Sequence, residues 1–419
     1  MITEQGPARD ERGASRGEIE QGPRPRDEVA TGASKSEREA LRATAAEFVR
    51  REVAPHLQEW EDAGEIPRSL HRTAGDLGLI GIAFPEEVGG GGGDLLDSVA
   101  MQEAMFDTGA SSGLMAALFT SGISLPHIAA SGDADLIDRF VRPTLAGELI
   151  GSLAITEPGG GSDVAGITTK AELVEGRDGE RFYLVNGAKT FITSGVRADF
   201  VTAAVRTGGP GHDGLSLPVV EKGTPGFTVD RSMKKMGWHC SDTAELSFAD
   251  VRVPAANLVG AEGSGFAQLA DQFVVERIAL AVHGYGIAAR SLDLAAAYCR
   301  DRQAFGRPLM ANQSVQHTLV EMRRQVEVTR TYTRSVAARH VVGAPEEQLS
   351  VVAEACLAKQ TAVDCAAYVC DRAVQLFGGT GYMHGTEVER HYRDARILPI
   401  GGGATEVLTD LAARLMGYV

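Results

Sequence analysis

The chain has 419 residues, 43% of them hydrophobic and 23% charged, with a formal net charge of −15 at pH 7 and a pI near 5.2. That length exceeds what one hydrophobic core usually serves, roughly 250–300 residues, so two or three domains are expected. The acidic balance excludes a nucleic-acid backbone or an anionic membrane as the general partner, since either is repelled by it, and leaves only local arginines to hold a small anionic ligand.

Residues 1–33 are polar, rich in Pro and Gly and contain acids, which predicts a disordered tail and neither an apolar signal segment nor an acid-poor transit peptide. Ser36 and Glu39 have capping-box spacing, and Leu41, Ala45, Phe48, Val49 and Val53 follow at helical intervals, so an amphipathic helix starts where the tail ends. Helical patterns continue to about residue 150, interrupted by PEEVGGGGGD, where Gly89 to Gly93 read as a surface turn without a catalytic role. From 151 the segments FYLVNGAKTFITSG, LSLPVVEKG, GFTVD and AELSFADVRVP are short, β-branched or aromatic, and separated by turn residues, which predicts an all-β insert. After about 263 long helical periods return. The expected domains are therefore 34–150 (helical), 151–262 (β) and 263–419 (helical), with ligand clefts where they meet.

One C-terminal helix carries two apolar rows. Val275, Ile278, Val282, Tyr285, Ala289, Leu292 and Ala296 form the first, and Leu269, Phe273, Glu276, Leu280, His283 and Ile287 the second. A helix apolar on two faces is buried, which isolates Glu276 as a carboxylate among hydrophobic neighbours and predicts a raised pKa. Within it, GYGIAA at 284–289 matches a dinucleotide fingerprint, but the helical stripe runs through it and the required strand-then-turn context is missing. NAD binding is excluded on that ground.

The five cysteines, at 240, 299, 356, 365 and 370, have neither CxxC nor zinc-finger spacing. This predicts neither a disulfide framework nor a metal site, and points to a reducing cytoplasm. No uninterrupted apolar run is long enough to span a bilayer.

ITEPGGGSD, at 155–163, lies where the first helical region passes into the β-region. Its glycines let backbone amides approach a ligand, and Thr156 and Ser162 add hydroxyls. Alone it also reads as an ordinary turn. It is followed by FITSG (191–195), MGWHCSDTAELSF (236–248), RDRQAFGRPL (300–309), QLFGGTGY (375–382) and RDARILPIGGGATEV (393–407). In this order and spacing the motifs closely resemble those of the acyl-CoA dehydrogenase flavoproteins, over nearly all of 36–419.

The resemblance implies an α+β fold with an N-terminal helical domain, a middle β-barrel or sandwich and a C-terminal four-helix bundle, FAD between the last two, and usually a homotetramer. By position, Ile155, Thr156, Gly161 and Ser162 line the flavin or the thioester, and Phe191 and Thr193 bracket the ring. Arg302, Phe305 and Gln313, and Gln375, Gly378 and Gly379, contact the rest of FAD, one of these groups from a neighbouring subunit, while Thr405 and Glu406 close the site. Ser162, Arg277 and Gly403 are also the implied substrate contacts. In many members the base that removes the α-proton lies in a segment reading Y-E-G-T, which here is IGGGA, with Gly402 at the glutamate position. A subset resembling isovaleryl and long-chain acyl-CoA dehydrogenases keeps its glutamate on a C-terminal-domain helix before an arginine. Here VVERIALA places Glu276 and Arg277 there, and the Gly402 N–H remains to bind the thioester oxygen. The implied reaction is α,β-dehydrogenation of acyl-CoA to trans-2-enoyl-CoA, with electrons passed to an electron-transfer flavoprotein. The alternatives are an acyl-CoA oxidase, a flavin monooxygenase, an acyl-carrier-protein-linked dehydrogenase, or a non-catalytic flavoprotein.

Overall fold

The computed structural model describes residues 35–177, 179–344 and 347–419, so the tail expected over 1–33 lies outside the described residues. Helix α1 (Lys35–Phe48) runs into a π-turn at Val49–Val53 and buries Ala45, Phe48, Val49 and Val53, the expected stripe. Its described part begins at Lys35, with Ser36 in its first turn and Glu39 in the next. Helices α2 (Leu57–Ala63), α3 (Arg68–Asp76), α4 (Leu95–Thr108) and α5 (Ser112–Leu118) follow, then the short α6 (Ser121–Ser124), α7 (Pro126–Ser131), α8 (Ala134–Leu136) and α9 (Arg142–Leu145). The five-glycine loop is at the surface, yet its chain crosses itself closely: a Cβ at Gly90 would stand 2.1 Å from the Phe84 carbonyl oxygen. It ends at Asp94, which caps α4 by accepting from the N–H groups of Leu96 and Asp97.

The β-region holds two sheets. One has three strands, β1 (Gly151–Ala154), β4 (Phe200–Ala203) and β7 (Val219–Glu221), in the order β1-β4-β7, with β1 parallel to β4. The other has six, in the order β6-β5-β2-β3-β9-β8, comprising β2 (Lys170–Glu175), β3 (Arg181–Thr193), β5 (Val205–Arg206), β6 (Leu215–Ser216), β8 (Phe227–Ser232) and β9 (Thr243–Pro254). Ala154, Val201 and Val220 of the first sheet share a core with Tyr183, Val185, Leu246 and Phe248 of the second, so the sheets pack face to face as a sandwich.

Three long helices, α10 (Gly265–Asp301), α11 (Gln313–Val342) and α12 (Gln348–Phe377), form the C-terminal bundle, with the short strands β10 (Gln303–Ala304) and β11 (Arg307–Pro308) between the first two. Helices α13 (Gly379–Tyr382), α14 (Glu387–Ala395) and α15 (Thr405–Leu415) complete it. The glycines of the discarded fingerprint have a packing reason: a Cβ at Gly284 would lie 2.8 Å from the Ala362 carbonyl oxygen on α12, and one at Gly286 would lie 2.5 Å from the Phe106 ring on α4. They let α10 approach both neighbours. Among the described residues no single helix is long and apolar enough to cross a membrane; the bent pair Ser112–Leu118 and Ser121–Ser131 passes on length and composition only.

Four helices meet at Glu103 on α4, 2% exposed. Its carboxylate accepts from Arg42 of α1 at 3.0 Å, Tyr285 of α10 at 2.8 Å and Arg334 of α11 at 2.8 Å. Burial alone would raise its pKa, but the Arg334 hydrogen bond and charge hold it below the usual value of 4.5. Replacing Glu103 by Ala leaves these donors facing a cavity and is expected to cost about 3 kcal/mol in urea unfolding. Because the folded-state pKa is lowered, this contribution is complete above the ordinary value of 4.5 and fades as the pH falls through the folded value, so the difference between wild type and variant narrows in acid.

Candidate active site

The ITEPGGGSD loop leaves β1 and is tied to β3 by its own backbone and by a buried ion pair. The Thr190 N–H donates to the Thr156 carbonyl at 2.9 Å, and Ser152 Oγ donates to the Thr193 carbonyl at 2.6 Å. Lys189, fully buried on β3, donates from Nζ to the Ile155 carbonyl and to Glu157 Oε1, both at 2.9 Å. Glu157 also accepts from the Thr168 and Thr169 N–H groups at 2.8 Å. Burial pushes against ionisation of both partners. In Glu157 the hydrogen bonds from Thr169 and Thr168 prevail and hold it at about 2, while Lys189, with fewer partners, is lowered to about 8. Both are charged at neutral pH.

This scaffold brings FITSG beside ITEPGGGSD. The β3–β9 register slips between Lys189 and Ile192, and at that irregularity Phe191 takes φ 59 with its ring 64% exposed. An aromatic residue held in left-handed backbone and presented to solvent is a strained arrangement of the kind that gathers at functional sites. Ile155, Thr156 and Thr193 are half-buried beside it, and Gly161 and Ser162 are exposed on the loop. A Cβ at Gly159 or Gly160 would meet nothing within 4 Å, so the space over the loop is open.

A second cluster forms between α10, α12 and the glycine run. Glu276 is half-buried and, among the described residues, its carboxylate has no hydrogen bond and no ion pair within 4 Å. Burial raises its pKa above the usual 4.5 against the pull of Lys359 and Arg277. Arg277 is 6% exposed, stacks 5.1 Å from the Phe273 ring, and its Nε is without a partner. Opposite Glu276 stands Gly402, at φ 61: a Cβ there would lie 2.2 Å from Leu280 Cδ1 and 3.2 Å from Glu276 Oε1. Gly401 to Ala404 and Thr405 are half-buried, Glu406 is exposed, and Gln360 Nε2 donates to the Thr405 carbonyl at 2.7 Å.

The MGWHCSD segment fastens the β-region to the helices. Trp238, at φ 53, donates its N–H to Asp394 Oδ1 at 2.7 Å and its indole N–H to Ser112 Oγ at 2.9 Å, while Gly113 N–H donates to Asp394 Oδ2 at 3.2 Å. Burial, with Glu61 nearby, pushes Asp394 up to about 6.

The remaining candidates sit elsewhere. Arg302, just past the end of α10, follows Glu276 by 26 positions, about 39 Å at 1.5 Å per residue. Phe305 is fully exposed at the tip of the β10–β11 turn, where it and Gly306 have φ 54 and 78. Gln313 begins α11, while Gln375 lies in the last turn of α12, Gly378 follows that helix and Gly379 opens α13. Tyr298 stacks on Phe377 at 4.3 Å, so Arg302 and the Gln375–Gly379 group share one end of the bundle, away from Glu276.

Three family models match the chain: the acyl-CoA dehydrogenase N-terminal domain over 35–148, the middle domain over 152–251 and the C-terminal domain over 263–417. The long-chain specific acyl-CoA dehydrogenase of Rattus norvegicus is 38% identical over 384 residues, 90% of this chain and 86% of its own. A crystal structure from Mycobacterium smegmatis, described as an acyl-CoA dehydrogenase, is 58% identical with TM-score 0.88, covering 92% of this chain and 99% of that one. A chain of the Acidaminococcus fermentans structure described as electron transferring flavoprotein is 32% identical with TM-score 0.85, covering 92% and 98%. The chain belongs to the acyl-CoA dehydrogenase family.

As an acyl-CoA dehydrogenase it is an FAD enzyme, and its residues fit that cofactor. The N–H groups of Gly402, Gly403 and Ala404 find no acceptor among the described residues. Cβ atoms at Gly378 and Gly379, as at Gly159 and Gly160, would point into open space. An exposed aromatic ring, hydroxyls and free backbone donors together suit a flat, oxygen-rich ligand.

Sequence reasoning missed Glu157, Lys189 and Lys359. Lys189 has the strand parity of the inward-facing Tyr183 and Val185, which already marks it as an inward charge. Lys189→Met leaves the Glu157 carboxylate buried without its cation. It is expected to cost about 3–5 kcal/mol and to lower the FAD retained through gel filtration, and Glu157→Gln added to it should recover much of the stability. Unchanged FAD content and melting temperature in Lys189→Met would contradict the role given to this pair.

Proposed function

We propose that Glu276 is the base that removes the α-proton of a bound acyl-CoA, with the Gly402 N–H donating to the thioester oxygen on which negative charge develops. The observation that carries this is the mutual placement of a half-buried carboxylate without partners and a glycine whose Cβ would come within 3.2 Å of it. An α-proton is weakly acidic, so its removal needs a carboxylate held short of water together with a donor for the enolate oxygen. Arg277 orients that edge of the pocket, and Ser162 and Gly403 contact the thioester. FAD, when bound, supplies the acceptor for the β-hydride. Ile155, Thr156, Gly161, Ser162, Phe191 and Thr193 hold its ring end, and Thr405 and Glu406 close over it. The product is the trans-2-enoyl-CoA, and electrons leave to an electron-transfer flavoprotein, a reading supported by the likeness to the Acidaminococcus chain.

Arg302, Phe305 and Gln313, and Gln375, Gly378 and Gly379, contact the rest of FAD, one of these two groups serving the cofactor of a second copy. The distance of about 39 Å between Glu276 and Arg302 along the α10 axis and the full exposure of Phe305 support a homo-oligomer, read here as a tetramer. The chain divides into helical, β and helical domains over 34–150, 151–262 and 263–419. Five buried cysteines without a disulfide support a cytoplasmic setting.

Glu276→Gln is expected to retain yellow FAD but to slow anaerobic bleaching by acyl-CoA by about 10²–10⁴-fold, the usual share of a general base. In the unaltered protein the bleaching rate should rise with pH through a value above 4.5, since burial raises Glu276. Bleaching by Glu276→Gln at the wild-type rate would remove Glu276 from this role.

A further inference from the structure

Lys359, on α12, is 1% exposed. Its ammonium donates to three successive carbonyls, those of Gly401 at 2.5 Å, Gly402 at 3.2 Å and Gly403 at 2.6 Å. A lysine has three protons to give, and all three are spent on the glycine run. Gly402 and Gly403 lie at φ 61 and 95, backbone that glycine adopts readily, and in that backbone the three carbonyls meet one ammonium. This accounts for the glycines better than a flexible turn does.

In a planar trans peptide the C=O and the following N–H point in opposite directions. Fixing the carbonyls of Gly401, Gly402 and Gly403 on Lys359 therefore turns the N–H groups of Gly402, Gly403 and Ala404 away from it. These are the three donors left without acceptors among the described residues. A cation bonded to a carbonyl also polarises the peptide and strengthens the N–H on its far side. Glu276 lies close enough to pull the Lys359 pKa upward, although burial prevails and holds it at about 8.

We infer that Lys359 is a positioning residue for α-proton removal: through the three glycine carbonyls it aims the Gly402 N–H at the thioester oxygen and lends positive potential to the enolate formed there. This rests on the proposed function and extends it to a residue that does not itself touch substrate.

The test isolates the proton step in the FAD-loaded protein. 3-Thia-acyl-CoA probes of graded chain length, in which sulfur replaces the β-methylene, lose the α-proton to Glu276 but cannot pass on a hydride. The C–H electrons remain on the enolate, which gives a long-wavelength charge-transfer band beside oxidised flavin. The unaltered protein should develop this band. Lys359→Met, one atom shorter and apolar, should bind the same probe yet ionise it at least about tenfold less, approaching the 10²–10³-fold effect of losing an oxyanion-hole donor, with kcat falling more than KM rises. If Lys359→Met does not retain FAD, Lys359→Gln, which keeps donors without the charge, should show the same loss in smaller measure. A full-strength band in an FAD-loaded Lys359 variant overturns the inference alone. No band in the unaltered protein with any probe overturns the proposed function and the inference with it.

Discussion

Everything at the candidate site turns on how little room there is between α10 and the glycine run. A side chain at Gly402 would collide with Leu280 and press on the Glu276 carboxylate, so the space admits one acid, and α10 supplies it. Bare backbone on the other wall then has a function of its own, because a residue without a side chain can present its N–H where a side chain would stand. On the proposed reading one acid replaces another across this gap, and the glycine in the IGGGA segment is then no sign of lost activity.

Around that gap, the rest of the chain acts as a set of fasteners. Glu103 joins the first helices to the bundle, Glu157 and Lys189 pin the ITEPGGGSD loop to the bulged strand, and Asp394 fixes Trp238 of the β-region against Gly113 and the last helices. Each is a buried charge whose partners come from segments distant in sequence. Breaking one partner of such a set costs more than removing the whole set, so each fastener resists small displacements of the surfaces it joins.

Much of this was legible in the sequence. The period-3.6 stripe on α10 set Glu276 apart before any coordinates, and the burial of Ile278, Val282, Tyr285 and Ile287 follows it. The β-insert is readable from its alternating strands, and the helical period through 284–289 matches the unbroken α10 there. What the sequence withheld is of another kind. Whether Lys359 ends beside the glycine carbonyls depends on how α12 packs on the loop before α15, more than forty positions away, and no local pattern encodes that. Its place on the apolar face with Cys356, Val363 and Ala366 was visible, yet a lone charge on such a face does not name its partner. The same holds for Glu157, whose partners come from β3 and from the loop before β2.

The central claim is that the acid meeting the substrate's α-carbon comes from α10. A crystal structure of the FAD-loaded protein with a bound acyl-CoA measures this directly. The account predicts the Glu276 carboxylate against the α-carbon and the thioester oxygen on the Gly402 N–H. A Glu276 side chain turned away from the thioester, with another carboxylate at the α-carbon, would contradict it.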